Sequence, residues 1–140
     1  MDDEMKYLLG QAVQAREEAY APYSCFKVGC ALLGEDNRVF LGCNVENASY
    51  GLTNCAERTA LFRAIADGYK PYSFKAIAIA GDVSRPLAPC GACRQVLVEL
   101  CSPGMRVIMG NTKGEYIEST VSELLPGAFD RGAFIDDKEI

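Results

Sequence analysis

Cys55-Ala56-Glu57 and, further along the chain, Pro89-Cys90-Gly91-Ala92-Cys93 supply three thiols and one carboxylate in an order suited to hydrolysis at a metal. Three protein ligands leave one position of a tetrahedral zinc open for water, which a catalytic zinc needs and a structural zinc lacks. Glu57 lies two residues from the first thiol, close enough to handle that water's protons. The chain contains no histidine. That excludes His-ligated metal, Ser-His and Cys-His nucleophile pairs, and histidine acid–base chemistry. Proton transfer has to fall to a carboxylate, a thiol, a lysine, a tyrosine or water.

Cys90 and Cys93 stand at i and i+3, so their sulfurs project to one side of a helical turn. Cys55 opens a different helix. Two helix N-termini facing each other would set three sulfurs at about 2.3 Å from one ion. Zinc with three thiolates carries about -1, and a hydroxide on it would make about -2. Each helix N-terminus offsets this with roughly +0.5 of a charge and free amide donors. Arg58 and Arg94 closely follow ligands and can add positive charge, and Arg58 is expected to donate to the thiolates. A CxxC pair alone also suits a redox dithiol at a helix start, or half of a structural zinc site. Redox chemistry has no need of Cys55-x-Glu57. A structural zinc would take a fourth thiol from Cys25, Cys30, Cys43 or Cys101, which read instead as small buried hydrophobes.

The elements that must position these groups are legible in the apolar pattern. Residues 4–20 carry a helical stripe at Met5, Leu8, Leu9, Ala12, Val13 and Ala19, ended by Ala21-Pro22-Tyr23-Ser24. Residues 26–33 read as a buried strand that turns at 35–37 into a second, 39–43, with a loop over 44–54. A helix starts near Cys55, with Ala60, Leu61, Ala64 and Ile65 inward, and stops at Gly68. The apolar run 74–80 is a central strand, and the second cysteine cluster opens the next helix with Cys93, Val96, Leu97, Leu100 and Cys101 inward. Strands follow at 105–109 and 115–118, then a capping box from Thr120 to Glu123 and a short helix before Pro126. Residues 130–140 read as a polar, partly loose tail. The sum is one α/β domain over residues 1–140, a mixed sheet of five strands sandwiched by helices in three layers.

Composition narrows the partners. Of 140 residues, 49% are apolar, and 19 acidic against 14 basic side chains give a net charge of -5. An acidic surface argues against nucleic acid and against a polybasic membrane contact. No apolar run reaches the roughly 18 residues of a membrane span, and the acidic start Met1-Asp2-Asp3-Glu4 has no signal-peptide character. A cytoplasmic location is expected, where seven cysteines are thiols or metal ligands rather than disulfides.

Four segments together resemble a known family. They are Gly42-Cys43-Asn44-Val45-Glu46-Asn47-Ala48, Cys55-Ala56-Glu57-Arg58-Thr59-Ala60, Pro89-Cys90-Gly91-Ala92-Cys93-Arg94-Gln95 and Glu123-Leu124-Leu125-Pro126-Gly127-Ala128-Phe129. They are similar to the small homotetrameric zinc-dependent cytidine deaminases, over roughly residues 5–130. The zinc deaminase signature pairs a His or Cys first ligand and a Glu with P-C-x-x-C, and this chain carries the all-cysteine version. The resemblance implies one Zn2+ per chain on Cys55, Cys90 and Cys93. It implies hydrolysis of cytidine and 2′-deoxycytidine to the uridines with release of ammonia, a step of pyrimidine salvage. It implies that zinc-bound hydroxide attacks C4 while Glu57 shuttles the protons. It further implies that Phe26 stacks on the base, that Ala56 backbone contacts the pyrimidine edge, and that Asn44 and Glu46 bind the ribose. Ala48, Tyr50 and Phe129 are implied to come from neighbouring subunits. A related substrate such as blasticidin S, or a free base or nucleotide, uses a similar metal motif. The Asn44–Ala48 and Pro126–Phe129 segments favour the nucleoside.

Overall fold

The computed structural model describes residues 2–135. Helix α1 (Asp3–Ala15) starts where the Asp2 carboxylate accepts the Met5 amide at 2.9 Å, and Asp3 and Glu4 place negative charge at its positive end. Its buried stripe is Met5, Leu8, Leu9, Ala12 and Ala15. The helix does not reach residue 20. It tightens into a 3-10 turn at Arg16–Glu18 and straightens at Ala19. The cause lies in Tyr20, whose amide donates to the Asn44 carbonyl at 3.0 Å and whose carbonyl accepts the Glu46 amide at 2.9 Å. A residue in that bridge must be extended.

Five strands follow: β1 (Val28–Gly34), β2 (Val39–Cys43), β3 (Phe74–Gly81), β4 (Arg106–Asn111) and β5 (Tyr116–Thr120). They lie in the order β2-β1-β3-β4-β5, with β3 and β4 parallel and the other neighbours antiparallel. Strand alternation sends Ala31, Leu33, Ala76, Ala78, Ala80 and Ile108 toward α1. It sends Cys30, Leu32, Ile77, Ile79, Val107 and Met109 to the opposite face. There they meet α2 (Ala56–Ala66), α3 (Gly91–Leu100) and the short α4 (Val121–Leu124). This is the expected three-layer arrangement on a mixed five-stranded sheet.

Three strand starts differ from expectation, that of β4 by a single residue, at Arg106 rather than Met105. β1 begins at Val28 rather than Phe26, because the Phe26 amide and carbonyl are taken by the Ser24 hydroxyl and the Asn44 carboxamide. β5 begins at Tyr116 rather than Glu115. Buried Asn111 accepts the amides of Lys113 and Glu115 and donates to the Glu115 carboxylate, which holds Glu115 in the turn. Of the tail, Arg131–Ala133 form a 3-10 turn, with Arg131 buried and its guanidinium 3.8 Å from the centre of the Tyr72 ring. Residues 136–140 lie outside the described residues.

The start of α2 is seated on the sheet by Gly42. A methyl group there would come within 2.4 Å of the Ala56 carbonyl and 2.6 Å of the Ala60 amide nitrogen. Ala56, Ala60, Leu61 and Ala64 are fully buried on that side, while Ile65, expected inward, is half-buried. The helix ends at Ala66 and is closed off by Gly68, whose φ of 95° lets the amides of Gly68 and Tyr69 return to the carbonyls of Ile65 and Ala64.

Candidate active site

Cys55 is the N-cap of α2 and Cys90 the N-cap of α3, both extended, and neither sulfur caps its own helix. Cys93 sits within the first turn of α3, fully buried. The two helix starts therefore converge, bringing the three sulfurs within 4.8 Å of one another. The Sγ atoms of Cys55 and Cys90 are 3.8 Å apart. A tetrahedral zinc with bonds of about 2.3 Å needs sulfurs about 3.8 Å from each other. The donor set thus fits zinc in number, softness and spacing. Among the described residues these three form the one such cluster of potential ligands.

Positive charge reaches the thiols from Arg58, whose Nη2 donates to Cys55 Sγ at 3.0 Å, as expected. Its Nε is buried without a partner. Arg94 is used differently: its guanidinium donates to the carbonyls of Pro89 and Leu124, each at 2.9 Å, and so ties the second cysteine loop to α4. The Cys55 thiol is lowered far below its ordinary value, chiefly by a hydrogen bond from Cys93 and then by Arg58, while the same bond pushes Cys93 up. Glu57 is 4% exposed, and burial raises its carboxyl above the ordinary carboxylate range. Raised in this way, a carboxyl can both accept and return a proton nearer neutral pH.

Glu57, Cys55 and Cys90 border a cavity of about 230 Å³, lined also by Phe26, Val28, Asn44, Thr53, Asn54, Ala56, Leu87 and Ala88. The end of β3 shapes its wall. Gly81 faces Val28 across the sheet, and a methyl group on it would come within 2.9 Å of Leu87 Cδ2 and 3.1 Å of Phe26 Cζ. Asn44 is buried, donating to the Phe26 carbonyl and accepting the Val28 amide, each at 2.8 Å. One further hydrogen and one further lone pair on its carboxamide remain for a ligand.

Glu46 does not stand beside Asn44 in that cavity. It lines an adjoining hollow of about 330 Å³ with Tyr23, Ser24, Asn47, Tyr50 and Thr53, and Thr53 borders both spaces. Hydrogen bonds from the Ser24 hydroxyl, then from the Ser24 and Tyr23 amides, hold its carboxyl below the ordinary range. Tyr50 is 82% and Phe129 64% exposed, and Ala48 is exposed as well. The Phe129 ring packs edge-on against Phe134, and its carbonyl accepts from Gln95 at 2.6 Å. Of the remaining cysteines, Cys30 and Cys101 are buried as expected and Cys43 partly so. Cys25 is exposed at a φ of 58°, which corrects its reading as a small core residue.

A family model described as the cytidine and deoxycytidylate deaminase zinc-binding region matches residues 2–110. A cytidine deaminase of Halalkalibacterium halodurans is 58% identical over 92% of this chain and 95% of its own length. One from Sporosarcina psychrophila is 52% identical over 91% and 93%. The crystal structure of cytidine deaminase from Burkholderia pseudomallei superposes with a TM-score of 0.88 at 56% identity, covering 92% of this chain and all of that one. The chain belongs to the cytidine deaminase family.

Within this cytidine deaminase fold, sequence reasoning missed part of the lining. Leu87 and Ala88 directly precede Pro89, and Thr53 and Asn54 directly precede Cys55, so adjacency to the ligands was an available signal. For Val28 and Ser24 no signal short of the three-dimensional arrangement existed. Among the described residues no helix is long and apolar enough to cross a membrane.

Proposed function

We propose that the protein hydrolyses cytidine and 2′-deoxycytidine to the corresponding uridines, using zinc held by Cys55, Cys90 and Cys93. The observation that carries this reading is the buried Glu57 carboxyl, which shares a cavity with Cys55 and Cys90, two of three thiols spaced for one ion. Zinc, when bound, supplies Lewis acidity that makes water nucleophilic near neutral pH. The chain's own residues do the rest. Glu57 takes a proton from the attacking water and delivers it to N3 of the base. A C4–O bond forms, the C4–N bond breaks, and Glu57 passes a proton to the departing amino group, which leaves as ammonia. One carboxyl serves throughout because it gains and loses a proton by turns within each turnover. Phe26 stacks on the base, the Ala56 backbone meets its edge, and Asn44 and Glu46 receive sugar hydroxyls from the two adjoining spaces. Arg58 offsets the thiolate charge.

Exposure of Ala48, Tyr50 and Phe129, two of them large apolar rings, supports a homotetramer in which they complete a neighbour's pocket. Seven free thiols favour a reducing, cytoplasmic setting, and the enzyme's place is pyrimidine salvage. The test is the ultraviolet absorbance of cytidine with purified protein, before and after chelation and zinc restoration. Loss of the cytidine signal that stops without zinc and resumes with it is the expected result. A zinc-loaded protein that leaves cytidine and deoxycytidine unchanged would overturn the substrate assignment.

A further inference from the structure

Ser24 stands at the junction of the two spaces. Its hydroxyl donates to Glu46 Oε2, and the same oxygen accepts the Phe26 amide at 3.0 Å. Glu46 Oε1 accepts the amides of Tyr23 at 2.9 Å and Ser24 at 3.1 Å. Between Ser24 and Phe26, Cys25 adopts the left-handed conformation that few side chains tolerate, with its amide bonded to the Ala21 carbonyl. That twist folds the Ser24 side chain back over the Phe26 amide. The Phe26 carbonyl is in turn fixed by Asn44. A continuous line of hydrogen bonds thus runs from Glu46 through Ser24 to Phe26 and Asn44. An ionised carboxylate offers about four acceptor positions. On Glu46 both positions of Oε1 are filled, and Oε2 has one left, enough for one hydroxyl donor.

We propose that Ser24 is a positioning residue that fixes Glu46 and Phe26 relative to each other, so that one hydroxyl couples the sugar side of the site to the base side. It touches no reacting atom. This rests on the reading that Glu46 receives a sugar hydroxyl. Without the Ser24 hydroxyl, Oε2 loses its fixed orientation and the Phe26 amide loses its partner. The penalty falls on recognition of a substrate that has both a base and sugar hydroxyls.

The test compares cytidine with 2′,3′-dideoxycytidine, which keeps the base and lacks those hydroxyls, on zinc-loaded wild type, Ser24→Ala and Ser24→Thr. Wild type should favour cytidine. Ser24→Ala should raise KM for cytidine roughly tenfold or more, as expected for losing a hydrogen bond to a charged group, with the smaller change in kcat. Its preference over the dideoxy compound should shrink, and Ser24→Thr should restore it. Should alanine weaken the turn itself, Ser24→Cys keeps the volume with a poorer donor and must show the same pattern. An undiminished preference in Ser24→Ala or Ser24→Cys would overturn the positioning role and leave the sugar reading standing. Equal losses on both compounds, without rescue by threonine, would reduce Ser24 to a structural residue and also overturn it. No preference in wild type would remove Glu46 as a sugar ligand, and this proposal with it.

Discussion

Replacing Gly42 by alanine should disable the site without altering any group in it. The Cα hydrogen of Gly42 in β2 faces the backbone of α2, not a flexible side chain. The added methyl group would lie 2.4 Å from the Ala56 carbonyl oxygen and 2.6 Å from the Ala60 nitrogen, where ordinary contact begins at 3.4 Å. Relief requires α2 and β2 to separate by about 1 Å, since helix backbone cannot yield locally in a close-packed interior. α2 carries Cys55 at its N-cap and Glu57 in its first turn, whereas Cys90 and Cys93 belong to α3. The two halves of the site would therefore move apart by a similar amount, against a sulfur spacing of 3.8 Å that already matches zinc. A misplacement of this size costs on the order of 10²-fold in rate. Overpacking costs about 1–3 kcal/mol, roughly 3–12 °C in Tm for a domain of this size. Steady-state cytidine turnover, zinc content after dialysis and a thermal melt on one preparation check all three. A Gly42→Ala protein with wild-type turnover and zinc retention would refute the claim that this contact sets the position of the first ligand and of Glu57.

Other perturbations probe the surroundings. Arg58→Ala removes the donor to Cys55 Sγ, so zinc affinity measured by chelator competition should fall about 10–100-fold. Unchanged affinity would exclude the charge-compensating role. At the far end of the sheet, Arg106 pairs with Glu118 at 2.8 Å and Asp2 at 3.1 Å, and holds Glu118 below its ordinary value of 4.5. A depressed folded-state value gives stability that is present above the ordinary pKa and lost as pH falls through the folded one. The Tm gap between wild type and Arg106→Ala should accordingly be open at pH 7 and close well below pH 4.5; a gap that stays constant into acid would contradict this.

The grouping of the thiols with Glu57 was readable because these residues are local in sequence. Cys90 and Cys93 share a helical turn, and Cys55 and Glu57 share another, so residue type and spacing carry the information. The sheet was readable for a similar reason, since 74–80 and 105–109 are too apolar to face water. What escaped depends on contacts between distant segments. The missing side chains at Gly42 and Gly81 matter only because Ala56 and Phe26 come against them. Arg94 looked like a charge beside a ligand and is instead a tie to Leu124. Asn44 and Glu46 stand two residues apart just after a strand, a spacing that would put both side chains on one side. Asn44 turns to Phe26 and Val28, and Glu46 to the Tyr23–Ser24 turn, because each finds backbone partners there that an extended loop could not reveal.

The proposed mechanism gives proton transfer to Glu57 and the metal to the thiols. The direct test is Glu57→Gln, a substitution that keeps size and polarity and removes only the titrating group. Zinc content and cytidine turnover should be measured on the same preparation. This mechanism predicts zinc retained at the wild-type level and turnover reduced by at least ~10²–10⁴-fold. Near-normal turnover in the zinc-loaded variant would contradict it.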